Sequence, residues 1–351
     1  MGCDLGDLAD SKEISFTYLS NRVLAVDAYN TLYQFLSSIR GADGTPLMDS
    51  KGRLTGHLTG LFYRTVKWLE AGIKPVFIFD GKPPELKAKT LQERRERKEE
   101  AKKKMQKALD EGDIEDARKY AQQTSKLTPE MAKHAKSLLD AMGIPHIQAP
   151  SEGEAEAADL AKRKIAWCAA SQDFDSLLFG SPLLLRNLST TGRRKVPRKN
   201  TYIQIEPQLI SLEDTLKKNE LTQYQLIWLG ILSGTDFNKG IHGIGPKKGL
   251  KLVAGAKSFK EVISRLPPSI KEKSEMDEIS GLENWEEIEE FFLKPPVTGT
   301  QKIDFSTPNA GKITSLLCDE FDFSKERVER TLNAFEKKRE ESGGQTTLGD
   351  W

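Results

Sequence analysis

The sequence has few of the residues that build soft-metal sites or covalent scaffolds. Its three cysteines, Cys3, Cys168 and Cys318, lie far apart and form no Cys-x-x-Cys pair. That argues against structural zinc and against a disulfide framework, and it suits a reducing cytosol. Its four histidines, His57, His134, His146 and His242, include no His-Glu-x-x-His pattern. A metal site here must be built mainly from oxygen ligands, which favours magnesium or manganese over zinc. No apolar run approaches the length that spans a membrane, and Asp4, Asp7 and Asp10 argue against a secretory signal. Excess charge is missing too: 53 basic residues against 52 acidic ones leave a net +1. A DNA-binding protein is expected to be basic, but net charge hides clustering, and the clusters here have opposite signs. The length, 351 residues, is enough for one large α/β domain or two smaller ones.

What is present reads first as a sheet. The runs Arg22–Asp27, Pro75–Asp80 and Ile165–Ser171, the last leading into Gln172 and Asp173, look like strands buried on both faces. Gly143–Ile147 adds a short strand after a glycine helix stop. Helical patterns such as His57–Ala71 and Glu130–Met142 lie between them. The alternation predicts an α/β fold with a mostly parallel central sheet and helices on both faces. There is no internal repeat and no low-complexity linker. From Lys82 to Lys107 the composition shifts: Lys87, Lys89, Arg94, Arg95, Arg97, Lys98, Lys102, Lys103, Lys104 and Lys107 dominate a stretch nearly devoid of large apolar side chains. It reads either as a solvated helix laced with ion pairs through Glu93, Glu96, Glu99 and Glu100, or as a phosphate-contacting helix standing away from the body.

The acids carry the chemistry. Two strands end on Asp27 and Asp80, and the third runs into Asp173 and Asp175. Ligands gather at the carboxyl ends of strands in an open parallel sheet, so these four should converge on one edge. Glu152, Glu154 and Glu156 mark a helix start, with Ser151 as the expected N-cap, and Asp236 closes an apolar helix. Singly, each is an ordinary turn or cap residue. Together they repel and raise one another's pKa unless a cation neutralises them. Two divalent ions about 4 Å apart provide that charge and align a water for in-line attack on phosphate. The clustered acids therefore read as a metal site. Downstream, Gly243 and Gly245 sit in a tight turn opening a helix that bears Lys247 and Lys248. The spacing is neither a Rossmann fingerprint nor a Walker A loop. Its exposed N–H groups favour a phosphate, with a plain helix–turn–helix corner as the alternative.

Taken in order, these segments resemble the flap endonucleases, the structure-specific 5′ nucleases of replication and repair, over nearly the whole chain. The resemblance rests on Val26-Asp27-Ala28, Phe62-Tyr63-Arg64-Thr65, Phe79-Asp80-Gly81-Lys82-Pro83-Pro84, Glu152-Gly153-Glu154-Ala155, Gln172-Asp173-Phe174-Asp175 and Gly243-Ile244-Gly245-Pro246-Lys247. The short chain is most similar to archaeal members. The resemblance implies a two-magnesium site, manganese substituting, with Asp80, Glu152, Glu154, Asp173 and Asp175 as the more direct ligands. Asp27 and Asp236 would act largely through water. Lys87, Arg94 and Asp173 become the catalytic candidates, the two bases stabilising charge on the scissile phosphate. Tyr33 would stack on the terminal base. Arg40, Arg64, Gly243, Gly245, Lys247 and Lys248 would touch DNA, as would Gly2 after loss of Met1. Carbonyls of Gly240, Ile241 and Ile244 would hold potassium. The basic stretch becomes an arch guiding a single 5′ strand, with salt-sensitive phosphate contacts that read shape.

The final segment, with Gln345, Leu348 and Trp351, resembles the peptide that docks on a PCNA-type sliding clamp. The implied organisation is a nuclease region with the start of the arch (1–105), the rest of the arch (106–130), a second nuclease region with a helix–hairpin–helix-type motif (131–260), a helical region (261–340) and the clamp tail (341–351). The implied activity is 5′ flap endonuclease with 5′-3′ exonuclease action, in Okazaki fragment maturation and repair. The implied protein is a monomer without membrane contact, cytoplasmic and nucleoid-associated if archaeal, nuclear if eukaryotic. A related junction or repair nuclease, a non-enzymatic clamp-bound adaptor for DNA branches, and a toxin-like RNA nuclease are the competing readings.

Overall fold

The apolar runs of the sequence become strands in the computed structural model, which describes residues 3, 5–41, 45–113, 116, 120, 126–190, 192–195, 201–271 and 281–341. Among these residues nine strands form: β1 (Ser11–Glu13), β2 (Val23–Asp27), β3 (Lys74–Phe79), β4 (His146–Gln148), β5 (Cys168–Ala170), β6 (Leu183–Arg186), β7 (Gly192–Lys195), β8 (Tyr202–Ile205) and β9 (Gln208–Ser211). The chain folds as two compact units of interleaved segments. One comprises Met1–Ser15, Asp80–Gln92 and Ala149–Gly299; the other comprises Phe16–Phe79, Glu93–Gln148 and Thr300–Trp351. Gly2, Gln345, Leu348 and Trp351 lie outside the described residues.

In the second of these units β2, β3 and β4 run parallel, with Asp27 opposite Ile78 and Phe77 opposite His146. Leu24, Ala25, Val26 and Val76 to Phe79 are all buried, as strands covered on both faces require. Helix Gly56–Glu70 buries Leu58, Leu61, Phe62, Thr65 and Val66, a three-to-four-residue spacing that makes one apolar face. Helix Pro129–Ala141 starts on Thr128, whose side chain accepts from Met131 N, with proline at its first position. Gly143 then turns at φ +68°, where a Cβ would meet the Ser306 carbonyl at 2.0 Å. His57 is wholly buried in this unit, and neither ring nitrogen finds a hydrogen-bond partner.

In the first unit β5 and β6 are parallel, whereas β9 pairs antiparallel with both β6 and β1. Strand β5 is shorter than the apolar run predicts. Helix Gly153–Lys162 is followed by Lys164 in the left-handed region, so Ile165–Trp167 are spent in the turn. Helix Gln223–Ser233 is apolar all round and buried from Gln225 to Leu232, and a Thr222/Gln225 capping box starts it. The strands that lead to the acids are thus paired in parallel, the mostly parallel α/β arrangement expected. No described helix is long and apolar enough to cross a membrane.

From Lys89 onward the basic stretch is a single helix, Ala88–Asp110, preceded by the 3-10 turn Glu85–Lys87. Glu99–Lys102 (2.6 Å) and Glu100–Lys104 (2.7 Å) are exposed ion pairs on it, as the solvated reading expects. Ala101 and Ala108 on it are buried. Two small residues seven apart share one face, and that face is covered.

Candidate active site

A tight backbone crossing sets the first acid. Gly81 N donates to Ser151 O (2.6 Å) and Lys82 N to Pro150 O (3.2 Å). The approach requires glycine, because a Cβ on Gly81 would meet the Ala149 carbonyl at 2.1 Å. Asp80 is thereby placed so that its Oδ1 accepts from Gly153 N at 2.7 Å. It caps helix Gly153–Lys162 from another segment, a carboxylate at the positive end of the helix. The expected cap by Ser151 is therefore not formed. Glu152 holds the N-cap position, makes no side-chain cap bond, and turns its carboxylate to Lys87.

Lys87 is the centre of the cluster. Its Nζ lies 2.5 Å from Glu152 Oε2 and 3.1 Å from Asp236 Oδ2, and all three side chains are only 10–12% exposed. Burial pulls the ammonium down, but Glu152, Asp236 and Asp80 outweigh it and hold Lys87 well above the usual lysine value. Burial raises Glu152, Lys87 opposes that rise, and Asp80 and Asp236 add to it. Asp175, first residue of the short helix Asp175–Leu178, accepts from Cys3 N at 2.9 Å. Burial, then Asp236 and Asp173, push Asp175 up to about 7. Glu154 sits half-buried in the first turn of helix Gly153–Lys162. Four chain segments thus bring Asp80, Glu152, Asp175 and Asp236 about one ammonium, with Asp173 beside Asp175, within one unit. Asp27 belongs to the other unit, where it ends β2 and its Oδ1 caps helix Ala28–Ser38 by accepting from Asn30 N at 3.0 Å.

Among the described residues no three His, Cys, Asp or Glu side chains are gathered closely enough to form a metal-binding group by themselves. The Lys87 ammonium instead bridges two of the acids, a single positive charge among five carboxylates. The donor set is wholly carboxylate, and one of its acids is driven to about 7 partly by its acidic neighbours. A hard divalent cation neutralises such a set, and magnesium takes oxygen ligands. The residues fit that group.

The candidate DNA contacts fall in two places. The hairpin after Asp236 buries Ile241 and Ile244, while Gly243 and Gly245 face open space and would accept a Cβ without contact. Lys248 Nζ donates to the Gly243 carbonyl at 2.9 Å, and Lys247 pairs with Asp7 at 3.0 Å, both exposed. In the other unit Lys98 Nζ lies 5.4 Å from the centre of the Tyr33 ring. Burial raises the Tyr33 phenol and Arg94 draws it down, so Arg94 is close as well. Arg40 Nε donates to Ser37 O at 3.0 Å, and Arg64 is half-buried on helix Gly56–Glu70. Three participants escaped sequence reasoning: the Cys3 amide, the Thr298 pair of bonds to buried Glu156 (2.8 and 2.5 Å), and Asn238. Only Asn238, a turn-former two residues after Asp236, left a signal that could have been found.

Residues 5–101 match the XPG N-terminal domain and residues 143–236 the XPG I-region. Flap endonuclease 1 of Pyrococcus furiosus is 50% identical over 352 residues, spanning 100% of this chain and 99% of the relative. The solved flap endonuclease-1 from Methanococcus jannaschii is 37% identical with a TM-score of 0.73, over 97% of this chain and all of that one. The catalytic core of Rad2, solved with a DNA substrate, shares the fold at 24% identity and a TM-score of 0.69, over 95% of this chain and all of that one. The gathered acids and Lys87 fall inside the two matched regions, and the likeness to the archaeal proteins runs from end to end. The chain belongs to the flap endonuclease family of XPG-type nucleases.

Proposed function

We propose that the protein is a metal-dependent, structure-specific nuclease that removes 5′ flaps from branched DNA, with 5′-3′ exonuclease action, in Okazaki fragment maturation and repair. The observation that carries this reading is the buried Lys87–Glu152–Asp236 cluster with Asp80, Asp173 and Asp175 around it. A protein that only bound DNA branches would gain nothing from acids that repel both one another and the phosphates.

Two magnesium ions, or manganese in their place, would be held by Asp80, Glu152, Glu154, Asp173 and Asp175, with Asp27 and Asp236 acting largely through water. When bound, they supply Lewis-acid activation of water and of the scissile phosphate. Lys87 would exchange its carboxylate partners for the scissile phosphate and, with Arg94, stabilise the charge that develops there. Tyr33 offers a half-buried ring on which the terminal base stacks, and the neighbouring Lys98 suits a phosphate. Arg40 and Arg64 would contact DNA near the branch. The hairpin would present N–H groups of Gly243 and Gly245, with Lys247 and Lys248, to the downstream duplex. Potassium would sit on the carbonyls of Gly240, Ile241 and Ile244. Gly2 precedes Cys3, whose amide bonds Asp175, and this supports a contact between the N-terminus and the substrate. The tail carrying Gln345, Leu348 and Trp351 would engage a PCNA-type clamp. The regions 1–105, 106–130, 131–260, 261–340 and 341–351 would serve the roles expected of them, in a monomer that is cytoplasmic and nucleoid-associated if archaeal, nuclear if eukaryotic.

The test is cleavage of labelled double-flap DNA, a four-way junction and single-stranded RNA, each with magnesium or with EDTA. Magnesium-dependent cutting of the flap should dominate. Cutting that persists in EDTA, or that prefers the junction, overturns the reading.

A further inference from the structure

The loop that carries Asp236 is closed on itself. Gly234 ends helix Gln223–Ser233 at φ +98°, and Ile241 N returns to Leu232 O at 2.8 Å. The hairpin begins where the loop closes. One side chain holds the shape between. Asn238 is 9% exposed and uses all four of its hydrogen-bonding positions. Its Oδ1 accepts from Thr235 N (3.2 Å) and Thr235 Oγ1 (2.8 Å). Its Nδ2 donates to Ile231 O and Gly281 O, both at 2.7 Å. The first two bonds fix the turn on which Asp236 stands, and the third ties that turn to the apolar helix. The fourth fastens it to Gly281, whose Cα packs so near Gly240 that a Cβ there would meet the Gly240 carbonyl at 2.0 Å. Gly240 in turn abuts Gly234, where an added Cβ would meet the Gly234 amide at 2.3 Å. A single amide therefore joins the acid's turn to the glycine against which the hairpin starts.

We propose that Asn238 is a positioning residue that sets Asp236 and the hairpin as one piece, so that metal affinity and grip on duplex DNA depend on the same side chain. The proposal rests on the reading of Asp236 as an acid of the metal site and of the hairpin as a duplex contact. Asparagine is specified by the bonds themselves. Alanine leaves two buried carbonyls and the Thr235 hydroxyl without their partner, and aspartate sets an oxygen against two carbonyl oxygens.

Two measurements on the full chain test it, neither of them activity. Mn2+ binding to the DNA-free protein is followed by electron paramagnetic resonance, and blunt-duplex binding is followed in EDTA. Asn238→Ala should weaken Mn2+ about tenfold, the usual scale for losing support behind a metal-site acid. It should also weaken the duplex about fivefold, the worth of one hydrogen bond. Leu184→Ala, a core substitution on β6 matched for loss of thermal stability, should shift neither beyond error. Gly281→Ala drives a Cβ at Gly240 with the Asn238 side chain retained; it should reproduce both shifts and keeps the test decisive if Asn238→Ala fails to fold. Asp236→Asn, run alongside, should weaken Mn2+ and leave duplex binding in EDTA intact. If Asp236→Asn weakens Mn2+ but the Asn238 and Gly281 variants shift only one quantity or neither, the proposal alone is overturned. If Asp236→Asn leaves Mn2+ binding unchanged, the reading of Asp236 fails and takes the proposal with it.

Discussion

Two buried groups in this protein titrate in opposite senses, and their variants should separate cleanly with pH. His57 is pushed down from 6.5 to about 3 by burial, with His134 nearby adding to the effect. Its folded pKa lies below its unfolded one, so its contribution is complete above 6.5 and drains away as the pH falls toward 3. By linkage about 2 kcal/mol is lost between pH 8 and pH 5. Asp175 is pushed up from 3.8 to about 7. The folded state takes that proton first, so stability is gained as the pH falls from 7 toward 3.8. Subtracting wild type from each variant removes the groups that do not interact with the replaced side chain. The His57→Leu difference should therefore rise by about 2 kcal/mol toward pH 5, and the Asp175→Asn difference should fall. At pH 8 His57→Leu should cost little, because it removes an imidazole whose N–H is buried without a partner, a defect of about 1–3 kcal/mol. The assay is urea unfolding in EDTA at half-unit pH steps, read by far-ultraviolet circular dichroism. A His57→Leu difference that stays level from pH 8 to pH 5 would refute the claim that this histidine is neutral in the fold.

Lys87→Met should destabilise the metal-free protein by about 3 kcal/mol, because it strands Glu152 and Asp236 without their buried counter-charge. Calcium should restore part of that loss in thermal unfolding, and a variant as stable as wild type in EDTA would mean the bridge is inconsequential. Asp173→Asn should abolish cutting while leaving flap binding mostly intact in a gel-shift measurement; lost binding would make the acid structural. Deleting residues 345–351 should spare basal cutting and remove stimulation by a sliding clamp, so retained stimulation would place the docking surface elsewhere.

The acids were legible because like charge at repeated strand ends is expensive and demands a reason. Asp80, Asp173, Asp175 and Asp236 announce themselves by position alone, and the structure brings Asp80 and Asp236 to Lys87, and Asp173 and Asp236 to Asp175. What the sequence could not convey is who answers each group. Ser151 and Asp80 both suit the end of helix Gly153–Lys162, and local spacing favours the serine. A backbone crossing 70 residues away in sequence, admitted by Gly81, lets the carboxylate win. Likewise Lys87 is one base among eleven in its stretch, and nothing local distinguishes it from the solvated lysines that follow. Its burial is decided by the two acids it meets, at Glu152 and Asp236.

The partners of Asn238 mark the deeper limit of such reading. A charged residue in an awkward place is conspicuous because its cost is intrinsic, whatever its partners are. A neutral amide carries no such cost once all four of its bonds are made, and here three of those four partners are backbone groups. Backbone partners have no residue type, so no spacing or composition can reveal them. The residues that perform chemistry are therefore easier to find than those that hold them in register. Thr298 on Glu156 obeys the same logic: its amide and hydroxyl together satisfy a buried carboxylate two residues beyond Glu154. In this chain the acids define what the site can do, and bonds between segments distant in sequence decide whether it is assembled.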